Sequence, residues 1–226
     1  PANTGPKFPL KPMVLTIHDL IPVDFAKSPK DARKWANNVH SAARSAIKII
    51  TPSHYTKDRV VKSFGVTADK IIVNYWAPDS ACRQVTDRDT LDRVRSKYGV
   101  GGSRGYVLGF GSTEYRKNTS RLLRAWSQVS KEIHKEYVLL LIGIDDRQGL
   151  KLFENQANEL GISDDCRLHG FADEGDMSAL ISDAAMLCYP SLSEGFGLPV
   201  LDAFACGTPV LTSNTTSLPE VAGQAA

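Results

Sequence analysis

Apolar positions along this chain follow two alternating patterns. Short continuous runs, many of them β-branched, are separated by longer stretches in which apolar residues recur every three or four positions. The continuous runs read as strands covered on both faces, and the periodic stretches as amphipathic helices. The spacing predicts strands at residues 14–17, 48–50 and 70–74, and helices over about 30–47, 54–64 and 87–98. Ser53 reads as the N-cap of the middle helix and Gly65 as its stop. After Gly99-Val100-Gly101-Gly102-Ser103 a second series begins, with strands at 106–110, 137–142, 167–169, 186–189 and 209–212. Helices over about 118–134, 149–160, 173–184 and 199–206 separate them, and a further helical segment starts near Leu218.

Strands spaced by helices of this length imply crossover connections and parallel sheets. The chain therefore reads as two α/β units: a partial one over residues 1–99, a linker at 100–104, and a nearly complete doubly wound one over 105–226. Three parallel strands behind a Pro-rich lead-in (Pro6, Pro9, Pro12) bury little apolar area against the entropy of ordering the chain. The expectation is a piece of a larger fold, whose missing segments lie outside this sequence or come from a partner chain.

Composition narrows the picture by exclusion. With 27 Lys and Arg against 25 Asp and Glu, and the basic residues dispersed apart from short pairs such as Arg116-Lys117, neither nucleic acid nor a membrane surface is the expected main partner. That pair suits a single diphosphate. Cys82, Cys166, Cys188 and Cys206 are far apart and lack metal-ligand spacing, which fits buried thiols in a reducing compartment. With no bilayer-length apolar run and no signal-peptide pattern, a cytoplasmic location is expected, and a peripheral membrane contact through another segment stays open.

The densest chemistry lies in Ser193-Glu194-Gly195-Phe196-Gly197-Leu198-Pro199, a loop at the carboxyl end of a predicted strand, where open α/β sheets bind ligands. Gly195 and Gly197 permit close backbone approach, Pro199 opens a helix, and Gly207 with Pro209 ends it. The amides of that first helical turn form an anion site. Glu194 on the loop and Asp202 within the helix have no Lys or Arg between them. Carboxylates repel phosphate but bind sugar hydroxyls, so a diphosphate held by amides with a hydroxylated ring on each side satisfies all these groups. The blander alternative is a solvated Glu194 and a dipole-stabilising Asp202. A second anion site is suggested where Gly109-Phe110-Gly111 leaves a strand and Arg116-Lys117 precedes a helix starting at Asn118 or Thr119.

Glu194-x7-Asp202 in "EGFGLPVLD", continued by "AFACGTPVLTSNTTSLPEVAG", resembles the Glu-x7-Glu signature of retaining GT-B glycosyltransferases of the group 1 (family 4) type. The resemblance implies a GT-B-like α/β fold of two Rossmann-like parallel-sheet units, the N-terminal one partial and the C-terminal one nearly complete. It also implies a nucleoside-diphosphate sugar donor, retention at the anomeric carbon, and no metal or other cofactor. Glu194, Gly195, Phe196 and Gly197 take the donor-sugar positions, with Glu194 and His18 of "LTIHDLIP" as the catalytic candidates. Asp202 takes the ribose position, Lys117 and Gly111 the phosphate positions, and the loop at Phe171 that of the nucleobase. Two departures stand out. Asp202 replaces the usual Glu, and Ser112 occupies the usual phosphate-binding Arg position, with Arg116 as the substitute cation. "EYRKN" is similar to a mannosyltransferase-like subgroup, so GDP-mannose is expected ahead of a UDP-sugar, with a glycan, a lipid-linked sugar or another hydroxyl as acceptor.

Competing readings remain. Asp202 and Ser112, with the incomplete first unit, also suit a catalytically silent nucleotide-sugar-binding or scaffold subunit. A sugar-nucleotide epimerase or a phosphorylase shares the fold. A Rossmann dinucleotide enzyme fits less well, because Glu114 stands where the third glycine belongs and Asp145-Asp146 lies too far from Gly109.

Overall fold

The computed structural model describes residues 12–226. Pro6 and Pro9 of the proline-rich lead-in lie outside the described residues. These group into two compact units. The first comprises the described residues through Ala77 with Ser193–Leu198 and Asn214–Gly223; the second comprises Pro78–Leu192, Pro199–Ser213 and Gln224–Ala226.

The first unit contains strands β1 (Val14–Thr16), β2 (Lys48–Thr51) and β3 (Ile71–Val73), which pair in that order and all run parallel. A short helix α1 (Ile21–Asp24) and then α2 (Pro29–Ser45) connect β1 to β2, and α3 (His54–Phe64) connects β2 to β3. Leu15, Ile49 and Ile71 share one register row and one face. They are buried against Val39, Ala42 and Ala43 of α2 and Val60 and Phe64 of α3, so both helices cover the same face. The other face carries Val14 and Ile72, each about half exposed. Local sequence sets the helix ends. Ser28 and Ser53 accept the amide hydrogens of Asp31 and Thr56 as N-caps, and Gly65 closes α3 at φ +61°.

In the second series α4 (Arg88–Lys97) precedes β4 (Gly105–Phe110), α5 (Thr119–Trp126), α6 (Lys131–Glu136) and β5 (Tyr137–Ile142). After these come α7 (Arg147–Glu159), β6 (Cys166–Leu168), α8 (Glu174–Ser182), β7 (Met186–Tyr189), α9 (Leu198–Ala205), β8 (Val210–Thr212) and α10 (Leu218–Ala222). The five strands form one parallel sheet in the order β6-β5-β4-β7-β8. Val138 to Ile142 of β5 are essentially inaccessible to water, as a continuous apolar run predicts. Strand order reverses between β4 and β7, which makes the crevice beyond their carboxyl ends the place where such sheets take ligands.

The sequence predicted a single helix over about 118–134; two are found. α5 stops at Trp126, whose indole N–H donates to Asp165 O at 3.1 Å. The His134 ring, from α6, stacks on Trp126 and reaches its carbonyl at 3.0 Å, and that carbonyl also accepts from Val129 N in the turn that ends α5.

α4 is fastened to α8 by charge. Asp176, 4% exposed, takes Lys97 Nζ at 2.5 Å and Arg93 at 3.1 Å, and Arg95 reaches Asp183 at 2.7 Å. The ion pair with Lys97, then the one with Arg93, holds the Asp176 carboxyl below its ordinary value, against the opposing effect of burial. A depressed folded value contributes stability that is present above the unfolded carboxylate range and lost as pH falls through the folded value. Asp176→Ala is expected to cost about 2 kcal/mol near neutral pH and to flatten acid destabilisation below about pH 4, measured by thermal melting across pH.

Candidate functional site

The cation pair lies on a short 3-10 turn, Tyr115–Lys117, between β4 and α5. Four hydrogen bonds tie this turn and the residue after it to the end of β7 and the loop that follows. Arg116 O accepts from Leu192 N at 2.7 Å and from Ser191 Oγ at 3.1 Å. The Asn118 amide donates to Pro190 O at 3.0 Å, and Lys117 Nζ donates to the Tyr189 hydroxyl at 2.8 Å. The turn therefore stands at the switch point between β4 and β7. Asn118 is left-handed (φ +62°), a conformation asparagine tolerates, and its side chain does not cap α5. Thr119 Oγ1 instead clamps the glycine turn, accepting from Ser112 N at 3.0 Å and donating to Ser112 O at 2.9 Å. Arg116 is mostly buried and ion-paired through Nε with Glu114 Oε2 at 2.6 Å, so part of its charge is already answered. Gly111 donates its own N–H to Ile142 O at 2.7 Å, and a Cβ there would come within 2.8 Å of Ile144. Its contribution to the turn is the space it leaves.

Asp202, on α9, accepts the N–H of Asp79 at 3.2 Å. Other bonds fasten the same segment: Val85 N to Ser182 Oγ at 3.0 Å, and Ser178 Oγ to Ala81 O at 2.8 Å. Burial raises the Asp202 carboxyl above its ordinary value, while the Asp79 amide and the Cys82 thiol partly offset this. Its neighbour Cys82 is pushed up to about 12, chiefly by burial and next by the Asp202 charge. A carboxyl raised on folding contributes stability that is fully present below the unfolded value and lost as pH rises through the folded value, so the Asp202 anion opposes folding at neutral pH. Asp202→Asn is expected to raise the melting temperature at pH 7, with the gain vanishing at acid pH. Nucleoside-diphosphate affinity, followed by calorimetry, should fall about tenfold.

The acidic turn belongs to the first unit. An ideal Cβ on Gly195 would lie 2.2 Å from His18 O and 2.8 Å from Asp19 Cβ, so the turn packs directly on the chain leaving β1. The Gly195 carbonyl accepts two buried hydroxyls, Ser53 Oγ at 2.8 Å and Thr56 Oγ1 at 3.1 Å. Ser53 thus caps α3 and holds a residue 142 positions away. Glu194 N donates to Thr216 Oγ1 at 3.1 Å, and Ser217 Oγ lies 2.9 Å and 2.7 Å from the carbonyls of Glu194 and Phe196. Thr216 is a β-branched residue at φ +56°, a rare conformation held here by its surroundings. Gly197 takes φ +119° beside Leu218. His18 contributes its carbonyl to this packing and its ring to Trp76, with centroids 5.0 Å apart.

Phe171 follows β6, which lies two places from β4 in the sheet, and is 76% exposed. His169 is a scaffold group, its ring against Tyr98 and its Nε2 at 3.0 Å from Tyr98 O. Asp146 caps α7 through Gly149 N, and Asp145 accepts from Ser112 Oγ at 3.0 Å, so neither matches a dinucleotide ribose acid. Among the described residues no group of three or more His, Cys, Asp or Glu side chains could hold a metal ion. No helix among them is long and apolar enough to cross a membrane.

The structure adds residues that the sequence reading left without a role. Thr216 and Ser217 position Glu194, Tyr189 orients Lys117, and Glu220 accepts the N–H groups of His54 and Tyr55 at 2.7 and 3.1 Å, capping α3 from a distant segment. Their local signals are weak, because serine, threonine and an isolated glutamate are common in any loop.

Two parallel α/β sheets, with a cation pair at a switch point and a glycine-rich acidic loop, fit the GT-B glycosyltransferase class. Residues 92–226 match the family described as glycosyl transferases group 1, and the chain belongs to that family. It is 34% identical over 230 residues to O-antigen chain mannosyltransferase B of Escherichia coli, covering 98% of this chain and 59% of that protein. Among solved structures it is similar to WaaG, a glycosyltransferase involved in lipopolysaccharide biosynthesis (TM-score 0.78, 20% identity, covering 97% of this chain and 60% of that one). It is also similar to Anabaena HepE in complex with UDP and glucose (TM-score 0.75, 23% identity, covering 92% and 55%). The chain thus spans about three-fifths of the length of these relatives.

Proposed function

We propose that this chain carries the donor-binding part of a retaining hexosyltransferase that moves mannose, or another hexose, from a nucleoside-diphosphate sugar to an acceptor hydroxyl in polysaccharide synthesis. The observation that carries this reading is the Tyr115–Lys117 turn bound to the end of β7 at the sheet's switch point, beside the side-chain-uncapped first turn of α5. Mannose is favoured by the 34% identical O-antigen mannosyltransferase, and a nucleotide donor by the neighbour whose structure contains UDP and glucose.

In this scheme Lys117 and the α5 amides stabilise the departing diphosphate, where negative charge grows most in the transition state. Asp202 binds the ribose, exchanging an unfavourable buried charge for hydroxyl hydrogen bonds. Phe171 offers its exposed ring to the base. Glu194 binds hydroxyls of the transferred sugar and offsets positive charge developing at its anomeric carbon, and His18 lines the same sugar. The bond from the anomeric carbon to the diphosphate breaks while the acceptor oxygen bonds on the same face, and the acceptor proton passes to the departing diphosphate oxygen. That arrangement retains configuration without an enzyme nucleophile or a metal.

Calorimetry with GDP and UDP, followed by transfer from the matching sugar nucleotides, tests the reading. Diphosphate binding together with α-configured product supports it. Binding without transfer in the full-length protein would instead support a silent nucleotide-sugar-binding subunit, an outcome to which the substitution at Ser112 lends weight.

A further inference from the structure

Asn74-Tyr75-Trp76 leaves β3 at the carboxyl edge of the first unit's sheet, the edge from which His18 leaves β1 and Ser53 leaves β2. Tyr75 is 54% exposed, yet it is held on several sides. Its ring stacks on Phe196 of the acidic turn (centroids 6.1 Å apart, interplanar angle 28°), and Phe196 is only 4% exposed. The His54 ring meets it edge-on at 6.1 Å. The Glu220 carboxylate, which accepts the N–H groups of His54 and Tyr55, is near enough to raise the Tyr75 phenol above its ordinary value. Trp76 stands edge-on to Phe196 at 5.6 Å and tilts against His18 at 5.0 Å.

A single exposed aromatic needs no explanation. One fixed by a stacked ring beneath it and an edge contact beside it, with half its surface in water at a ligand-binding edge, is preorganised for a partner. We propose that Tyr75 and Trp76 form a stacking platform for a pyranose ring of a neutral acceptor carbohydrate. This assignment rests on the chain being a sugar transferase. One face of a pyranose presents several C–H groups with slight positive character, which suit the negative face of an aromatic ring. Charge favours a neutral sugar over a nucleotide, because the Glu220 carboxylate sits on the amide of His54, whose ring meets Tyr75, and repels phosphate there. The platform shares Phe196 with the turn that carries Glu194, so a sugar stacked there is presented to the loop assigned to the donor sugar.

The test uses a linear α-linked mannotriose as probe, observed by saturation-transfer NMR, with GDP and UDP binding measured in parallel by calorimetry. The wild type is expected to transfer saturation to pyranose C–H groups. Tyr75→Ala should weaken mannotriose binding about tenfold, while Tyr75→Phe stays within about threefold and diphosphate affinity is unchanged in both. Should Tyr75→Ala fail to fold, Tyr75→Leu keeps apolar contact without a π face and is expected to show the same loss. Mannotriose affinity unchanged in a folded Tyr75→Ala or Tyr75→Leu variant, or absent from the wild type, overturns the platform while diphosphate binding leaves the donor site standing. A wild type that binds neither GDP nor UDP fails the transferase reading itself, and the acceptor assignment falls with it.

Discussion

Gly195→Ala is expected to abolish sugar transfer and to lower stability by about 3 kcal/mol or more. An ideal Cβ at this position sits 2.2 Å from the His18 carbonyl oxygen, a main-chain atom in the segment that ends β1. No rotamer change relieves that overlap. The turn must move by about 1 Å, and a displacement of that size near reacting atoms alone costs about a hundredfold in rate. Movement also strains the two hydroxyl bonds that Ser53 and Thr56 donate to the Gly195 carbonyl. Overpacking costs about 1–3 kcal/mol where side chains can yield, and here backbone opposes backbone. Ser53→Ala is the informative comparison. It removes the α3 cap and one of the two bonds but introduces no overlap, so it should cost about 1–2 kcal/mol and leave most of the activity. Chemical denaturation and initial-rate measurements separate the two variants, and equal losses in both would defeat the steric argument.

Lys117→Ala is expected to lower kcat/KM for the sugar nucleotide about 10²–10³-fold with little change in melting temperature. Lys117 lies half-buried on the 3-10 turn, outside the buried apolar cluster of the second sheet, and donates to the Tyr189 hydroxyl. The loss should appear mainly in kcat, because charge on the diphosphate grows as the leaving bond breaks. Tyr189→Phe keeps the ring and removes one hydrogen bond to Lys117, and should produce a smaller loss of about tenfold by loosening the placement of the ammonium. Arg116→Ala should be milder than Lys117→Ala, because the proposed scheme places the leaving diphosphate on Lys117 and the α5 amides, while Arg116 bonds Glu114. An Arg116 variant more damaged than the Lys117 variant would show that the cations have been assigned the wrong way round.

Most strand and helix positions were legible locally. The run Tyr137–Ile142 is a strand with the predicted bounds, Ser53 caps α3 and Gly65 ends it, and the five-stranded parallel sheet has the expected strands. These features depend on period, β-branching and capping, which act within a few residues. The helix predicted over about 118–134 is instead two, and the break after Trp126 coincides with an indole bond to Asp165 O, 39 residues further on, that no local pattern records.

The acids and cations could also be picked out from residue type and spacing, but their partners could not. Asp202 was readable as a carboxylate on a helix, whereas its bond to the Asp79 amide comes from a segment 123 residues earlier. The sequence alone determined the two α/β series, the glycine-bound acidic turn and the cation pair before α5, because each is written in contiguous residues. Only the tertiary structure decided that Ser193–Leu198 joins the first unit, that Ser53 and Thr56 hold Gly195, and that Tyr75 rests on Phe196. Those contacts link segments more than a hundred residues apart, and what fixes them is complementary shape and hydrogen bonding in the packed state, which leave no periodic trace along the chain.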